Sequence, residues 1–284
     1  MMQKFRKKSK FELPIQQFRS ERLLTSVLEA PTRGSSSLQN EKPTISIVVP
    51  ALNEEKNIEG AILKAIRLCQ GRVSAYEIIA INDGSTDKTG QIISGMAKEN
   101  RNIIELHHSK PWGFGGTYND GLNKAKYEYF SLIPGDNEEI EAQQDYLYSH
   151  LGKAELIISY TTNMEVRPRD RELISKAFTL YNNLVYGLDL QYYNGSNIIK
   201  TKLLKNLKMH TYGFAYSASN VVRLVKSGHS FIEVGVKIKA PTNSTKAYKA
   251  GNIISVAKEV VRLFCEVNLL DSQLYNKPIN RIDK

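Results

Sequence analysis

The chain has 284 residues, of which 41% are hydrophobic and 24% are charged, a balance typical of a folded α/β protein with one or two domains. It contains no run of about 18 apolar residues and no N-terminal apolar segment of the secretory kind, which argues against a membrane-spanning helix and predicts a cytoplasmic protein. The net charge of +10 favours anionic partners, but because no RNA-binding motif or zinc finger accompanies it, we expect no nucleic acid among them.

The first 42 residues are predicted to form a basic N-terminal extension. Five of the first ten residues are Lys or Arg, and "PTRGSSSLQNEKP" (31–43) has the Pro, Gly and Ser content of a linker. A basic tail suits the anionic surface of a membrane, and a solvated tail is the alternative. An apolar helix predicted at 252–265 would serve either the same surface or a core or dimer contact. Peripheral attachment to the cytoplasmic face of a membrane is therefore an expectation.

From Thr44 onward, apolar runs alternate with helical patterns. The apolar runs predict strands at 45–50, 77–82, 102–106 and 128–133. Apolar residues at helical spacing predict helices at 58–69, around 92–96 and near 117–126. Because the strands are apolar on both faces, we expect a mostly parallel central sheet flanked by helices, in a single α/β domain that covers residues 43–270.

Polar clusters follow three of these predicted strands. They are "PALNEE" (50–55), "NDGSTD" (82–87) and "PGDNEE" (134–139). Since ligands of parallel sheets bind beyond the carboxyl ends of the strands, we expect the three clusters to meet in one ligand site.

Asp83 is the clearest candidate in these clusters. It stands just past a buried strand, where a carboxylate has no packing role but can reach a ligand. It lies too early to cap the next helix, which Ser85, Thr86 and Asp87 are placed to do. We therefore predict a ligand contact for Asp83 and helix capping for the other three.

Asp136 and Glu138 form a candidate metal site. They lie two residues apart on a predicted turn, so both side chains can face the same side, and Mg²⁺ and Mn²⁺ prefer carboxylate oxygens. The alternative is that the acids complement the dipole of a helix N-terminus, which accounts for Glu139 and Glu141 better than for Asp136.

The segment at 107–121 gives weaker signals. His107 and His108 are neighbours on a strand and should point apart, so we predict no metal pair there. Trp112 is interpreted either as a surface that stacks on a ligand ring or as a cover for the core. "GFGGTYNDG" (113–121) lacks the spacing of a dinucleotide-binding loop, and its glycines are expected to let the chain pass close to a ligand.

Three segments resemble the nucleotide-binding half of family 2 glycosyltransferases with the GT-A fold: "ISIVVPALNEEKNI" (45–58), "EIIAINDGSTDKT" (77–89) and "GFGGTYNDGLNKAKYEYFSLIPGDNE" (113–138). Over about 155–265 the chain is similar, more loosely, to polyprenyl-phosphate sugar transferases of the dolichol-phosphate mannose synthase type. The resemblance implies a Rossmann-like GT-A domain that uses Mg²⁺ or Mn²⁺. Its 43–150 half would bind a nucleotide-sugar donor and its 151–270 half a lipid-phosphate acceptor at the membrane, with a C-terminal tail at 271–284.

The resemblance also implies roles for single residues. The donor would contact Pro50, Asn53, Glu54, Ile81, Asp83, Gly135 and Asp136. Asp136 matches the second acid of the family's DxD metal motif, with Glu138 as a further metal ligand, while Pro134 replaces the first acid. Arg171 and Lys246 match basic residues that bind the acceptor phosphate, and Asp136 and Arg171 would be catalytic.

The choice of acceptor depends on a general base. An inverting transfer to a hydroxyl needs one, but Ser219 stands where related enzymes have an acid, and no carboxylate lies between Gly213 and Asn220. A phosphate acceptor is already an anion, so a polyprenyl phosphate is favoured. The alternatives are a saccharide hydroxyl in surface polysaccharide assembly, with Asp189 or Glu165 as base, and a catalytically silent nucleotide-sugar-binding protein.

Overall fold

A computed structural model describes residues 42–207, 215–239 and 250–282 of the chain. Within these ranges seven strands form one sheet: β1 (Thr44–Ala51), β2 (Ala75–Asn82), β3 (Ile103–His107), β4 (Tyr129–Leu132), β5 (Leu156–Thr161), β6 (Ile198–Lys200) and β7 (Phe231–Val236). The α-helices of the same ranges are α1 (Ile58–Cys69), α2 (Thr89–Glu99), α3 (Phe114–Lys124), α4 (Glu141–Tyr148), α5 (Arg169–Tyr186), α6 (Thr201–Asn206), α7 (Tyr216–Lys226), α8 (Ala250–Cys265) and α9 (Ser272–Tyr275). A short 3-10 helix (Met164–Val166) precedes α5, and a π-helical turn (Glu266–Leu270) follows α8.

The strands lie in the order β3-β2-β1-β4-β6-β5-β7. β1 pairs in parallel with β2 and β4, β2 with β3, and β5 with β7, whereas β6 is antiparallel to both of its neighbours. The predicted mostly parallel sheet flanked by helices, in a single α/β domain, is therefore confirmed. Strands β1 to β4 and helices α1 to α3 occupy the positions at which the sequence predicts them.

Both faces of β1 are buried, because helices pack on both sides of the sheet. Ile47 and Val49 belong to the core cluster that includes Ala61 of α1, and Val48 belongs to the opposite cluster, which includes Leu122 of α3. Burying a Val or Ile side chain fully stabilises a fold by about 1.5–3 kcal/mol. This rigid centre fixes the positions at which β1, β2 and β4 end.

Helix α8, predicted at 252–265, turns polar residues inward. The Ser219 hydroxyl of α7 donates to Glu259 (2.5 Å), and the Arg223 guanidinium, also on α7, donates twice to Glu266 (2.9 and 2.7 Å). From residue 256 of α8 to the end of the turn after it, where the side chains are described, the exposed large apolar ones are Val261, Phe264, Leu269 and Leu270. This segment is therefore held by these polar contacts together with the buried Leu263 and Val267, and it leaves other apolar side chains at the surface.

The residues after α9 pair with β7. The Phe231 N–H donates to Asn280 O (3.0 Å), the Ile282 N–H donates to Phe231 O (2.9 Å), and Arg281 forms an ion pair with Glu233 (2.7 Å). The segment predicted as a C-terminal tail is thus attached to the sheet up to residue 282. Residues 1–41 of the predicted extension lie outside the described ranges. None of the helices in those ranges combines the length and the apolar character that crossing a bilayer requires.

Candidate active site

The loops after β1 and β2 are joined by hydrogen bonds. The Asn53 N–H donates to Ser85 Oγ (2.9 Å), and Asn53 Oδ1 accepts the N–H of Thr86 (2.8 Å). Asn53 has a φ of 59°, a left-handed conformation that asparagine tolerates better than most residues. Asp87 accepts the N–H of Thr89 (2.9 Å), the first residue of α2. Asp87 thus bonds the helix start as predicted, whereas Ser85 and Thr86 bond Asn53.

Four other predicted donor-site residues lie at or near the ends of the strands. Pro50 and Ile81 are partners across β1 and β2, and the Ile81 side chain is fully buried in the core, so only its backbone reaches this edge. The Gly135 N–H donates to Pro50 O (3.0 Å), and a Cβ at Gly135 would lie 2.7 Å from the same oxygen; a side chain there would separate β4 from β1. The Glu54 carboxylate accepts a hydrogen bond from Asn57 (2.8 Å).

Asp83 is buried at the end of β2, with 4% of its surface exposed. Its N–H donates to Ala51 O (2.8 Å), which joins the ends of β1 and β2. Its carboxylate accepts the N–H groups of Trp112 (2.8 Å) and Gly113 (3.0 Å) and lies 2.8 Å from His108 Nδ1. Asp83 therefore bonds the loop that follows β3 as well as standing at the edge where the polar clusters meet.

Asp136 and Glu138 lie on the turn after β4, both half-buried. The Glu138 N–H donates to Asp136 Oδ1 (3.1 Å). Burial raises the pKa of the Asp136 carboxyl, and the negative charge of Glu138 acts in the same direction. A divalent cation would offset both effects, so these two hard oxygen donors fit Mg²⁺ or Mn²⁺. Within the described ranges no group of three or more His, Cys, Asp or Glu side chains could hold a metal, so further ligands would come from the substrate or from water.

Two charged residues beside this turn were not predicted as site residues. Lys64 of α1 is 1% exposed, and its Nζ donates to the carbonyl oxygen of Glu139 (3.1 Å); burial lowers the pKa of Lys64. Burial also raises the pKa of the Glu139 carboxyl to about 7. Lys64 lies three residues after Ala61 and four before Leu68, both buried, so the helical spacing already places it on the inward face.

A cavity of about 150 Å³ opens between α3, α7 and the end of β4. Its lining residues are Phe114, Tyr118, Leu132, Pro134, Asn194, Gly195, Ser196, Asn197, Ile199, Tyr216, Ser217 and Asn220. Within the part of the chain that the structure describes, this lining contains hydroxyl and amide groups but neither a carboxylate nor an imidazole. Asn220 is 2% exposed, and its Nδ2 has no hydrogen-bond partner among the described residues. The cavity is therefore suited to a polar ligand, and none of its described lining residues is a general base.

The predicted acceptor residues are placed only in part. Arg171 lies in the first turn of α5, half-buried, and its guanidinium forms no hydrogen bond or ion pair within the described part of the chain. Lys246 lies outside the described residues. Glu165 and Asp189, considered as bases, are exposed and do not line the cavity.

The family model that matches this chain is glycosyl transferase family 2, over residues 46–205, more than half of the 284 residues. An uncharacterized protein of Methanocaldococcus jannaschii is 28% identical over 232 residues, which are 76% of this chain and 96% of that one. A dolichyl-phosphate beta-glucosyltransferase of Dictyostelium discoideum is 23% identical over 205 residues, 67% of this chain. The match spans 60% of that enzyme's length.

Among solved structures, a similar one is glucosyl-3-phosphoglycerate synthase from Mycobacterium tuberculosis in complex with Mn²⁺, UDP and phosphoglyceric acid. The TM-score is 0.58 at 22% identity, with 81% of this chain and 80% of that chain covered. Because the sequence identity is only 22%, this structural similarity establishes a shared fold and nothing further.

Proposed function

Because the chain belongs to glycosyl transferase family 2, we propose that it is an inverting glycosyltransferase that moves a sugar from a nucleotide-diphosphate sugar to a polyprenyl phosphate. The acceptor oxygen attacks the anomeric carbon from one face while the bond to the diphosphate breaks on the other. Negative charge builds on the departing diphosphate, so cationic groups held near it accelerate the step.

The donor half of the proposal rests on the edge where β1, β2 and β4 end. The hydrogen bonds of Asp83 N–H and Gly135 N–H to β1 bring three polar loops to this edge, which is the observation that carries the assignment. Asp136 and Glu138 would hold Mg²⁺ or Mn²⁺ there, and the bound ion would neutralise charge on the diphosphate. The named complexes of the Mycobacterium tuberculosis fold neighbour contain Mn²⁺ and UDP, which supports the same cofactor class.

The acceptor half rests on the cavity and on Arg171. A phosphate acceptor needs no base, in agreement with the described lining residues, which include neither a carboxylate nor an imidazole. Arg171 has no partner in the described part of the chain, so its guanidinium is available to an anionic group. The relative named as a dolichyl-phosphate beta-glucosyltransferase supports a lipid phosphate.

Helix α5 also supports a lipid acceptor, because its outward face is apolar. The exposed large apolar side chains of this helix are Leu173, Ile174, Leu180, Tyr181 and Leu184. Leu173, Leu180 and Leu184 are seven and four residues apart and so share one face. A helix with such a face can lie in the interface of a bilayer, which would bring Arg171 to the depth of lipid phosphates. Peripheral attachment to the cytoplasmic face of a membrane is part of the proposal.

The test is transfer of labelled sugar to a short polyprenyl phosphate in detergent, with Mn²⁺ and a panel of UDP-, GDP-, CDP- and dTDP-sugars. We expect one donor class to give a lipid-linked product and Asp136→Ala to slow its formation by about 100-fold or more. Asp145→Ala, at an exposed aspartate of α4, is the control. Formation of product from a saccharide but not from the lipid phosphate would reject this acceptor.

A hydroxyl acceptor is the second candidate, and Glu139 is the observation that favours it. Ser196, which lines the cavity, donates a hydrogen bond to the Glu139 carboxylate, so this group stands beside the cavity and could take a proton from a hydroxyl. Glu139→Gln separates the two candidates. If Glu139 is the base for a hydroxyl acceptor, this variant should lose most of the transfer activity. If the acceptor is a phosphate, the transfer rate of the variant should stay within about threefold of the wild type.

A further inference from the structure

The edge of the sheet where β1, β2 and β4 end is called the donor edge below. A buried cluster behind this edge links Asp83 to helix α3. His108 follows β3, and its two ring nitrogens both face carboxylates: Nδ1 lies 2.8 Å from Asp83 and Nε2 lies 2.9 Å from Asp120. The His108 side chain is 9% exposed. An ionised carboxylate only accepts hydrogen bonds, so both contacts are satisfied together when both ring nitrogens carry hydrogen. One imidazole therefore connects the end of β2 with α3.

The same histidine supports an exposed aromatic ring. Trp112 stacks on His108 with the ring centroids 4.8 Å apart and the planes inclined by 27°. The Trp112 N–H donates to Asp83 (2.8 Å), and 49% of this residue is exposed. Trp112 therefore does not cover the core, and its indole is held beside Asp83 with one side on His108.

Gly84 lets the loop at 108–113 approach the turn that carries Asp83. Its φ is 74°, and a Cβ there would lie 2.7 Å from the carbonyl carbon of Lys110. Such a φ and such an approach both require glycine. The loop is thus attached to the donor edge through Gly84 packing and through the bonds to Asp83.

We propose that His108 and Asp120 are positioning residues for the donor nucleotide. They hold Asp83, Trp112 and the loop at 108–113 in the arrangement that receives the nucleotide, without touching it themselves. The inference rests on the proposed function, because it requires a nucleotide at this edge. Without the bond from His108, the Asp83 carboxylate keeps only the backbone donors Trp112 and Gly113, and the side-chain link through His108 to Asp120 of α3 is lost. Trp112, whose flat apolar surface suits a planar ring, loses its stacking partner.

The experiment measures nucleotide affinity by calorimetry on the full-length chain with Mn²⁺, using whichever of UDP, GDP, CDP and dTDP binds the wild type most tightly. We expect His108→Ala and Asp120→Ala to raise the Kd by about tenfold, the effect of losing a hydrogen bond to a charged group. Asp120→Asn keeps an acceptor for His108 Nε2, so the nucleotide Kd of this variant should stay within about threefold of the wild-type value.

His107→Ala is the matched control. His107 is the preceding residue on β3 and has its own carboxylate partner, Glu105 (2.8 Å), but its side chain is 37% exposed, and its bonds go to Glu105, Ser94 and Asn82. The nucleotide Kd of His107→Ala should therefore stay within about twofold of the wild-type value. In steady-state assays the KM for the donor should rise in His108→Ala, while the KM for the acceptor stays constant. A merely structural role would not divide the two constants in this way.

An unchanged Kd in folded His108→Ala and Asp120→Ala would overturn the positioning role while leaving the proposed function intact. If His108→Ala does not fold, Asp120→Ala decides, because the Asp120 side chain is 27% exposed and its loss removes one contact of the cluster. If the wild type binds none of the four nucleotides, the proposed function fails and the positioning role fails with it.

Discussion

The turn after β4 depends on one buried lysine, Lys64. Its Nζ donates to Glu139 O (3.1 Å) beneath the turn, and methionine at this position would keep the length of the side chain but leave that oxygen without its donor. We expect Lys64→Met to lower the free energy of unfolding by about 1–3 kcal/mol, measured by urea denaturation at pH 7. Lys56→Met, at an exposed lysine before α1, is the control. Equal losses in the two variants would contradict this account of Lys64.

Glu155 gives the fold a defined dependence on pH. Hydrogen bonds from His229 and Ser230 lower the pKa of Glu155 to about 2, below the value of about 4.3 in an unfolded chain. Its contribution to stability is therefore complete above about pH 5 and is lost as the pH falls from about 4.3 towards 2.

We expect Glu155→Gln to destabilise the protein by about 1 kcal/mol at pH 7, a value reduced for the partial exposure of this carboxylate. The difference from the wild type should shrink when urea denaturation is repeated at pH 3. A difference of the same size at both pH values would show that the hydrogen bonds of the ionised carboxylate are not its source.

At the scale of elements, helix α7 is joined to α8 and to the turn after it by ion pairs of Arg223, which is 3% exposed. Its guanidinium lies 3.5 Å from Glu259 of α8, which is buried, and donates twice to the partly buried Glu266. Removing the guanidinium would leave both carboxylates without this compensating charge. We expect Arg223→Ala to cost about 3–5 kcal/mol in the free energy of unfolding. Arg67→Ala breaks an exposed two-bond pair with Glu141 and should cost at most about 1 kcal/mol. Similar costs for the two variants would contradict the role of burial.

The apolar face of α5 is the element that the lipid acceptor requires. Three leucines of this face are 69%, 59% and 74% exposed: Leu173, Leu180 and Leu184. We expect their joint replacement by serine to weaken flotation of the protein with anionic phospholipid vesicles by about tenfold or more. The free energy of unfolding should change little, since these side chains pack against little. Serine at Leu63 and Tyr146, exposed apolar residues of α1 and α4, is the control. Equal flotation of all three proteins would remove the support that α5 gives to a membrane-bound acceptor.

How far the elements could be predicted depends on where their partners lie in the sequence. Strands β1 and β2 are apolar on both faces, so local patterns are enough to predict them. The inward position of Glu259 on α8 could not be predicted, because this buried carboxylate is satisfied by Ser219 on α7, about 40 residues earlier in the chain. The pairing of residues 280–282 with β7 likewise depends on a partner about 50 residues away.

At the scale of the whole molecule, the site is assembled from loops that only the sheet brings together. Asp83 and Asp136 could be proposed from sequence because each follows a predicted strand, and parallel strands end at one edge. His108 and Asp120 could not be paired in this way, since their contact depends on how α3 packs across β1 and β2. The family model covers residues 46–205, and the roles of the single residues within it remain proposals.

The edge where β1, β2 and β4 end is proposed to bind a nucleotide together with a divalent cation. The most direct measurement is the melting temperature of the purified chain with UDP, GDP, CDP or dTDP, with and without Mn²⁺, because a ligand that binds only the folded state raises it. We predict a rise with one nucleotide that requires Mn²⁺ and is lost in Asp136→Ala but retained in Asp145→Ala. No rise with any of the four at millimolar concentration would contradict the claim.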